Sequence, residues 1–327
     1  MFQNLMNKKT IALIVKFAIS GGLIWYLLDN VDLSAAKDKL LTADIGFLAL
    51  AGIAIVVQVV ICVYRWLSVM RAIDADMTFS KTLQIYMIGF FFNQALPSSV
   101  GGDGVRMYKA YKNGLSLSGA VNGVMLERVA TVLALVIVVV VATPFFIDRV
   151  GDDAASWIVP AVSILGLGGV AGLVLLMGLD RLPSRFDRWR VVRGMAVLAA
   201  DARRVFFAPA DTMRVMGWSL TGHVNVSLAV FLLARSLDLD VSWLDCLVLM
   251  PPVLLIMTLP ISIAGWGVRE GAMVTAFGLI GVSAAGALVL SVMFGLWALV
   301  MGLPGGVVWL MSQDRTIEDI ETPMEAR

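Results

Sequence analysis

An eleven-residue phrase occurs twice in this chain, as LPSSVGGDGVR at residues 96–106 and as LPISIAGWGVR at residues 259–269. Seven of the eleven positions are identical, and Val100 faces Ile263 as a conservative exchange. Each copy interrupts a long apolar run with Pro and Gly and ends on an arginine, Arg106 or Arg269. In a bilayer such a break frees N–H and C=O groups that no water can satisfy, so it persists only where protein covers it or where it lines a wet cavity. A buried arginine adds a charge that needs a partner. Paired interruptions at corresponding places in two halves of a chain point to a binding site where the halves meet.

Composition sets the compartment. A hydrophobic fraction of 59% and a mean hydropathy of +0.88 describe an integral membrane protein. Apolar runs of about 20 residues, the length that crosses a ~30 Å hydrocarbon core, occupy nearly all of the 327 residues and leave no room for a soluble catalytic domain. Cys62 and Cys246 lie in or beside apolar segments and read as packing residues, not as a disulfide framework or a zinc site.

Charge placement predicts the topology. Residues 10–28 follow Lys8 and Lys9, are interrupted by Lys16, which would snorkel to the interface, and precede no A-x-A cleavage site. They read as an uncleaved helix with a cytoplasmic N-terminus. A second crossing covers residues 45–64 and is followed by Arg65 and Arg71. The third run starts near residue 82 and meets Pro97 after about 15 residues, too few to cross. Arg106, Lys109 and Lys112 come next, so residues 82–112 read as a re-entrant hairpin entered and left from the cytoplasm. Residues 117–146 cross outward and 155–179 return.

The segment 180–214 carries eight arginines against four aspartates, the strongest inside signal in the chain. With Trp189, Phe206 and Phe207 among them, it reads either as an amphipathic helix on the anionic inner leaflet or as a solvated basic loop. Residues 215–234 then cross outward, a second hairpin at 246–279 is entered from the outer face, and 284–311 return to an acidic tail at 312–327.

The expected fold is therefore all-α and polytopic, with about six full-span helices and two re-entrant half-helix hairpins in an inverted repeat. Residues 1–146 form the first repeat, 147–311 the second, and 312–327 a cytoplasmic tail. Both termini face inward, in the cytoplasmic (inner) membrane of a prokaryote. Inverted repeats suit alternating access, one half rocking against the other around a central site.

In each break the chain restarts as a half-helix after Gly101 and Gly102 or after Gly265 and Gly267, with Asp103 as a candidate N-cap. Two partly positive helix ends would converge, each with an arginine in its first turn. Arg106 and Arg269 together suit one phosphate, which planar guanidinium forks bind bidentately. The alternative is structural: Arg106 as an interface anchor, and Arg269 neutralised by Glu127 or Glu270. Glu127 and Arg128 are helix neighbours about 100° apart, so each needs a partner elsewhere, with Arg106 or Arg269 expected for Glu127. Asn93 and Gln94 precede the first break and would satisfy its freed backbone groups. His223 reads as a hydrogen-bonded helix contact.

No Walker loop, metal-ligand spacing or nucleophile with a base occurs, and Gly101 to Gly104 lack the spacing of a nucleotide-binding turn. The expectation is a protein that is not an enzyme, with no cofactor, no metal and no nucleic-acid partner; without an ATP site, any transport would run on an ion gradient or on the lipid gradient.

The stretches FFNQALPSSVGGDGVR (91–106), LERVAT (126–131) and LPISIAGWGVREGA (259–272) resemble the transmembrane region of the lysylphosphatidylglycerol synthase/flippase proteins, also called flippase-like domain proteins. The resemblance implies movement of a phospholipid or other anionic lipid between leaflets, with Asn93, Pro97, Gly102, Asp103, Arg106, Glu127, Arg128, Pro260, Gly265, Arg269 and Glu270 at the core. The sequence stops at Arg327 without the soluble aminoacyl-transfer domain, so lysinylation is not carried over. Relatives of this type also occur beside glycolipid, hopanoid and polyprenyl-lipid pathways, which leaves the lipid open. Two other readings stand beside transport. One is a membrane subunit that docks a soluble enzyme through Arg181 to Arg204 and presents lipid to it; the other is a membrane-embedded transferase with Glu127 or Asp103 as base.

Overall fold

The computed structural model describes residues 33–96, 101–147, 151–181, 190–258, 262 and 265–312, preceded by residues 21, 22, 25, 26 and 29. Most of the expected first crossing, Trp189, the tail after residue 312, and the prolines Pro97 and Pro260 lie outside the described residues. Among the described residues the chain is helical and has no strand.

The helices are α1 (Leu33–Leu41), α2 (Ile45–Ala72), α3 (Phe79–Ala95), α4 (Gly101–Lys112), α5 (Leu117–Phe146), α6 (Gly151–Met177), α7 (Arg190–Phe207), α8 (Pro209–Ser236), α9 (Trp243–Met257), α10 (Val268–Gly278) and α11 (Ala284–Met311). Polar side chains start several of them. Asp44 accepts from the Gly46 and Phe47 N–H groups at 2.7 and 3.1 Å, Ser116 from Gly119 at 3.0 Å, and Ser283 from Gly286 at 3.2 Å. These contacts satisfy first-turn donors that have no partner within the helix. At 1.5 Å per residue a 28-residue helix such as α2 runs about 42 Å, so it outreaches the ~30 Å apolar core. Among the described residues five helices are long and apolar enough to span: α2, α5, α6 over Ile158–Met177, α8 and α11.

Two boundaries differ from the sequence reading. Helix α2 does not stop at Tyr64 but continues through Ala72, because Trp66, Leu67, Val69 and Met70 bury against the protein. Arg65 is thereby carried into the interior. Helix α8 begins at Pro209, six residues before the expected start at Val215, with proline in the first turn where its missing N–H costs nothing.

Both breaks separate a pair of packed helices. Between α3 and α4 the Gly102 N–H donates to Asn93 Oδ1 at 3.0 Å, so Asn93 plays the backbone-satisfying part expected of it. A Cβ on Gly102 would fall 1.9 Å from the Gly89 carbonyl oxygen, and only glycine permits this approach of the two arms. Between α9 and α10, Gly265 and Gly267 take φ of +82° and +84°, a region that non-glycine residues rarely enter.

The packing of the helices is reciprocal. Among the described residues the most extensive interface joins α2 to α8. Helix α11 lies along α3, and α5 lies along α9. Helix α6 sits at the periphery beside α5, with Ile164, Leu167, Val170, Val174 and Leu175 all exposed, an apolar surface suited to lipid.

The arginine-rich segment is a helix from Arg190, and its apolar face turns toward the protein. Ala199, Ala202, Val205 and Phe206 are buried, the last three in one cluster with Trp66, Met70 and Val215. Asp201 accepts from Asn122 of α5 at 2.7 Å, and Arg203 binds Asp180 Oδ1 at 2.9 Å. Over residues 190–207 this replaces the solvated loop, and Phe207 is exposed.

Candidate functional site

Five charged side chains from three helices cluster in the protein interior. Arg65 comes from α2, Asp103 and Arg106 from α4, and Glu127 and Arg128 from α5. Four of them are buried, and Arg128 is partly exposed. Glu127 bridges two arginines: Oε1 accepts from Arg65 Nε at 2.8 Å and also from Arg65 Nη2, while Oε2 accepts from Arg106 Nη1 at 2.9 Å. Asp103 accepts from Arg128 Nε at 2.7 Å and from Arg106 Nη1 at 3.4 Å. The Arg106 guanidinium lies 4.2 Å from the Trp66 ring centre and 4.9 Å from that of Tyr86, so two aromatic faces hold it as well.

Asp103 therefore departs from its expected role as an N-cap. Helix α4 begins at Gly101, which puts Asp103 in the first turn, and its carboxylate is taken by two arginines. Arg106, buried and paired, is likewise no interface anchor. Glu127 and Arg128 diverge as neighbours on a helix must, and each finds its partner on another element.

Arg269 is neutralised locally. Glu270 Oε1 accepts from Arg269 Nε at 3.0 Å and Nη2 at 2.6 Å, Ser291 of α11 joins both, and the Trp266 ring centre lies 4.5 Å from the guanidinium. The other Glu270 oxygen accepts from the Gly267 N–H at 2.6 Å. Donors expected to face a ligand are thus engaged inside the chain at both half-helix starts, by Asn93 at Gly102 and by Glu270 at Gly267.

Among α2, α3, α5, α8, α9, α10 and α11 lies a cavity of about 330 Å³. Arg65, Arg128 and Arg269 line it, with Gln58, Asn93, Gln94, Thr131, His223 and Thr258 as further polar wall and residues such as Leu135, Leu254 and Phe294 as apolar wall. His223 donates from Nε2 to the Thr131 carbonyl at 3.0 Å, the helix contact expected of it. Neither Nη of Arg128, nor Nη1 of Arg269, has a hydrogen-bond partner among the described residues. Gly265 also lines the cavity, whereas Asp103, Arg106, Glu127 and Glu270 do not. Arg106 instead borders a smaller space of about 50 Å³ with Arg65, Tyr86, Phe90, Asn93, Glu127 and Arg128.

The arginines that share a wall with Arg269 are thus Arg65 and Arg128, not Arg106. Sequence reading placed Arg65 just past a helix end. The signal that could have found it is the apolar stretch Trp66 to Met70 beyond it, which keeps the residue inside the span. Three guanidinium groups (Arg65, Arg106, Arg128) face two carboxylates (Asp103, Glu127), and Arg269 balances Glu270. Among the described residues this cluster therefore carries one positive charge more than its carboxylates.

The chain matches the family described as lysylphosphatidylglycerol synthase TM region over residues 13–306. A UPF0104 membrane protein of Pyrococcus horikoshii is 26% identical over 174 residues, which cover 52% of this chain and 48% of that protein. The chain thus spans about half the length of the curated relative it matches. All the charged residues around the cavity fall inside the family match, and this multi-pass helical protein belongs to the lysylphosphatidylglycerol synthase TM region family.

Proposed function

We propose that the protein moves an anionic lipid between the leaflets of its membrane, with the headgroup in the central cavity among Arg65, Arg128 and Arg269 and the acyl chains remaining in lipid. The observation that carries this reading is the single excess positive charge on a wall built by both halves. An uncompensated charge at membrane depth is costly, and a phosphodiester supplies the one negative charge that removes the cost. The free N–H groups of Arg128 and Arg269 offer the planar donors a phosphate takes. A cavity of about 330 Å³ suits a headgroup and not a whole lipid.

The reciprocal packing of α11 on α3 and of α5 on α9 supports an inverted repeat, in which hairpins entered from opposite faces could rock about the cavity and open it to either side. Leaflet exchange of labelled phosphatidylglycerol and phosphatidylcholine in proteoliposomes tests the proposal. Faster exchange of the anionic lipid is expected. Equal rates for both, at the level of empty vesicles, would remove it and favour a subunit that docks a soluble partner.

A further inference from the structure

The 50 Å³ space behind the cavity has a chemistry of its own. Arg106 is 3% exposed, and its Nε and Nη2 are buried without a hydrogen-bond partner. Its Nη1 is taken by Glu127 and Asp103. Among the described residues Glu127 is the only carboxylate lining this space, and both of its oxygens already accept from arginines. Five of the seven lining residues (Arg65, Tyr86, Phe90, Asn93 and Arg128) also line the larger cavity, so the small space is an annex of it.

Two requirements meet here. Each buried donor left unpaired carries a desolvation cost, and the cluster carries one positive charge more than its carboxylates neutralise. A water molecule would answer the first requirement and leave the second. One small monoanion answers both, and a space of this size admits one or two water-sized species and no bulky polyatomic ion.

We propose that the annex is a binding site for a single inorganic monoanion of halide size, held by Arg106 Nε and Nη2. The site stands on Arg106 and does not require the transport reading. If that reading also holds, a corollary follows: halide and lipid phosphate compete for one excess charge, so headgroup entry releases the halide.

The test uses the full chain in detergent at constant ionic strength, with sodium gluconate replaced stepwise by sodium chloride or bromide. The thermal midpoint is expected to rise saturably by about 2–4 °C with either halide, as for a ligand that binds only the folded state. Arg106→Lys keeps the charge but not the donor pair and should lose that increment, whatever its own midpoint. Crystals of the unaltered protein grown in bromide should show an anomalous peak beside Arg106, a readout that needs no variant to fold. An absence of halide-specific stabilisation, an undiminished increment in Arg106→Lys, or bromide peaks only elsewhere would each overturn the site. Dihexanoyl phosphatidylglycerol supplies the separate arm. A weaker halide increment in its presence supports the corollary; an unchanged one leaves the halide site standing and counts against the headgroup reading alone.

Discussion

Arg65 and Glu127, 62 residues apart in sequence, are joined by a hydrogen bond of 2.8 Å from Nε to Oε1 that ties α2 to α5 in the protein interior. Glu127 also holds Arg106, so one carboxylate links α2, α4 and α5. Without it the buried Arg65 guanidinium would lose its carboxylate partner, and Arg106 would keep only the longer contact to Asp103 at 3.4 Å. The cost of such a loss is far larger than the net worth of the pair itself.

Glu127→Gln should therefore destabilise the protein by about 3–5 kcal/mol. Thermal unfolding in detergent reads this directly. A midpoint close to that of the unaltered protein would show that the carboxylate is dispensable to the fold.

The repeated phrase contains an internal control. Gly102→Ala places a methyl group 1.9 Å from the Gly89 carbonyl oxygen, while a Cβ on Gly104 meets nothing within 4 Å. Overpacking of this kind costs about 1–3 kcal/mol, so Gly102→Ala should lower the midpoint and Gly104→Ala should leave it nearly unchanged. Equal effects would mean that the two hairpin arms do not approach as described.

Gly295 on α11 makes room for Arg269: a Cβ there would lie 2.1 Å from Nη2. Gly295→Ala should displace the guanidinium from the cavity wall without removing its charge. Lipid exchange should fall severalfold, with a smaller effect on the bulk helical content seen by circular dichroism. Unchanged exchange would indicate that the position of Arg269 is not used.

The sequence made the two breaks legible, because the identical Gly, Val and Arg positions of the phrase could be aligned by eye. It did not reveal how the charges pair. Arg65 follows an apolar run and reads as lying just past a helix end; only the depth to which Trp66 and Met70 bury shows otherwise. Adjacent helix residues normally diverge, as Glu127 and Arg128 do, yet Arg269 and Glu270 bond each other at 2.6 Å. The difference lies at the helix start, where the Glu270 carboxylate also reaches back to the Gly267 N–H. The segment from Arg190 was ambiguous for a related reason. Its alternation of Arg with Ala, Val and Phe specifies an amphipathic helix, but whether lipid or protein covers the apolar face depends on α5, α8 and the end of α2, which sequence spacing does not locate.

Helix α7 offers a test of that docking. Asn122 is buried, and its 2.7 Å bond to Asp201 anchors α7 to α5. The Arg204 to Asp74 pair at 3.0 Å is exposed on both sides. Asn122→Ala should cost about 1–3 kcal/mol and increase proteolysis around α7, whereas Arg204→Ala should change stability by less than about 1 kcal/mol. The reverse order would place α7 away from the protein surface.

Leaflet exchange of labelled phosphatidylglycerol in proteoliposomes, compared between the unaltered protein and the Arg128→Ala, Arg269→Ala double variant at matched reconstitution, tests the central claim most directly. The double variant removes two of the three guanidinium groups on the cavity wall and keeps the Arg65, Glu127 and Arg106 bridge. The account predicts rapid exchange by the unaltered protein and a fall of at least tenfold in the variant. Equal exchange by both would contradict it, since lipid would then cross without the charges that the two halves bring together.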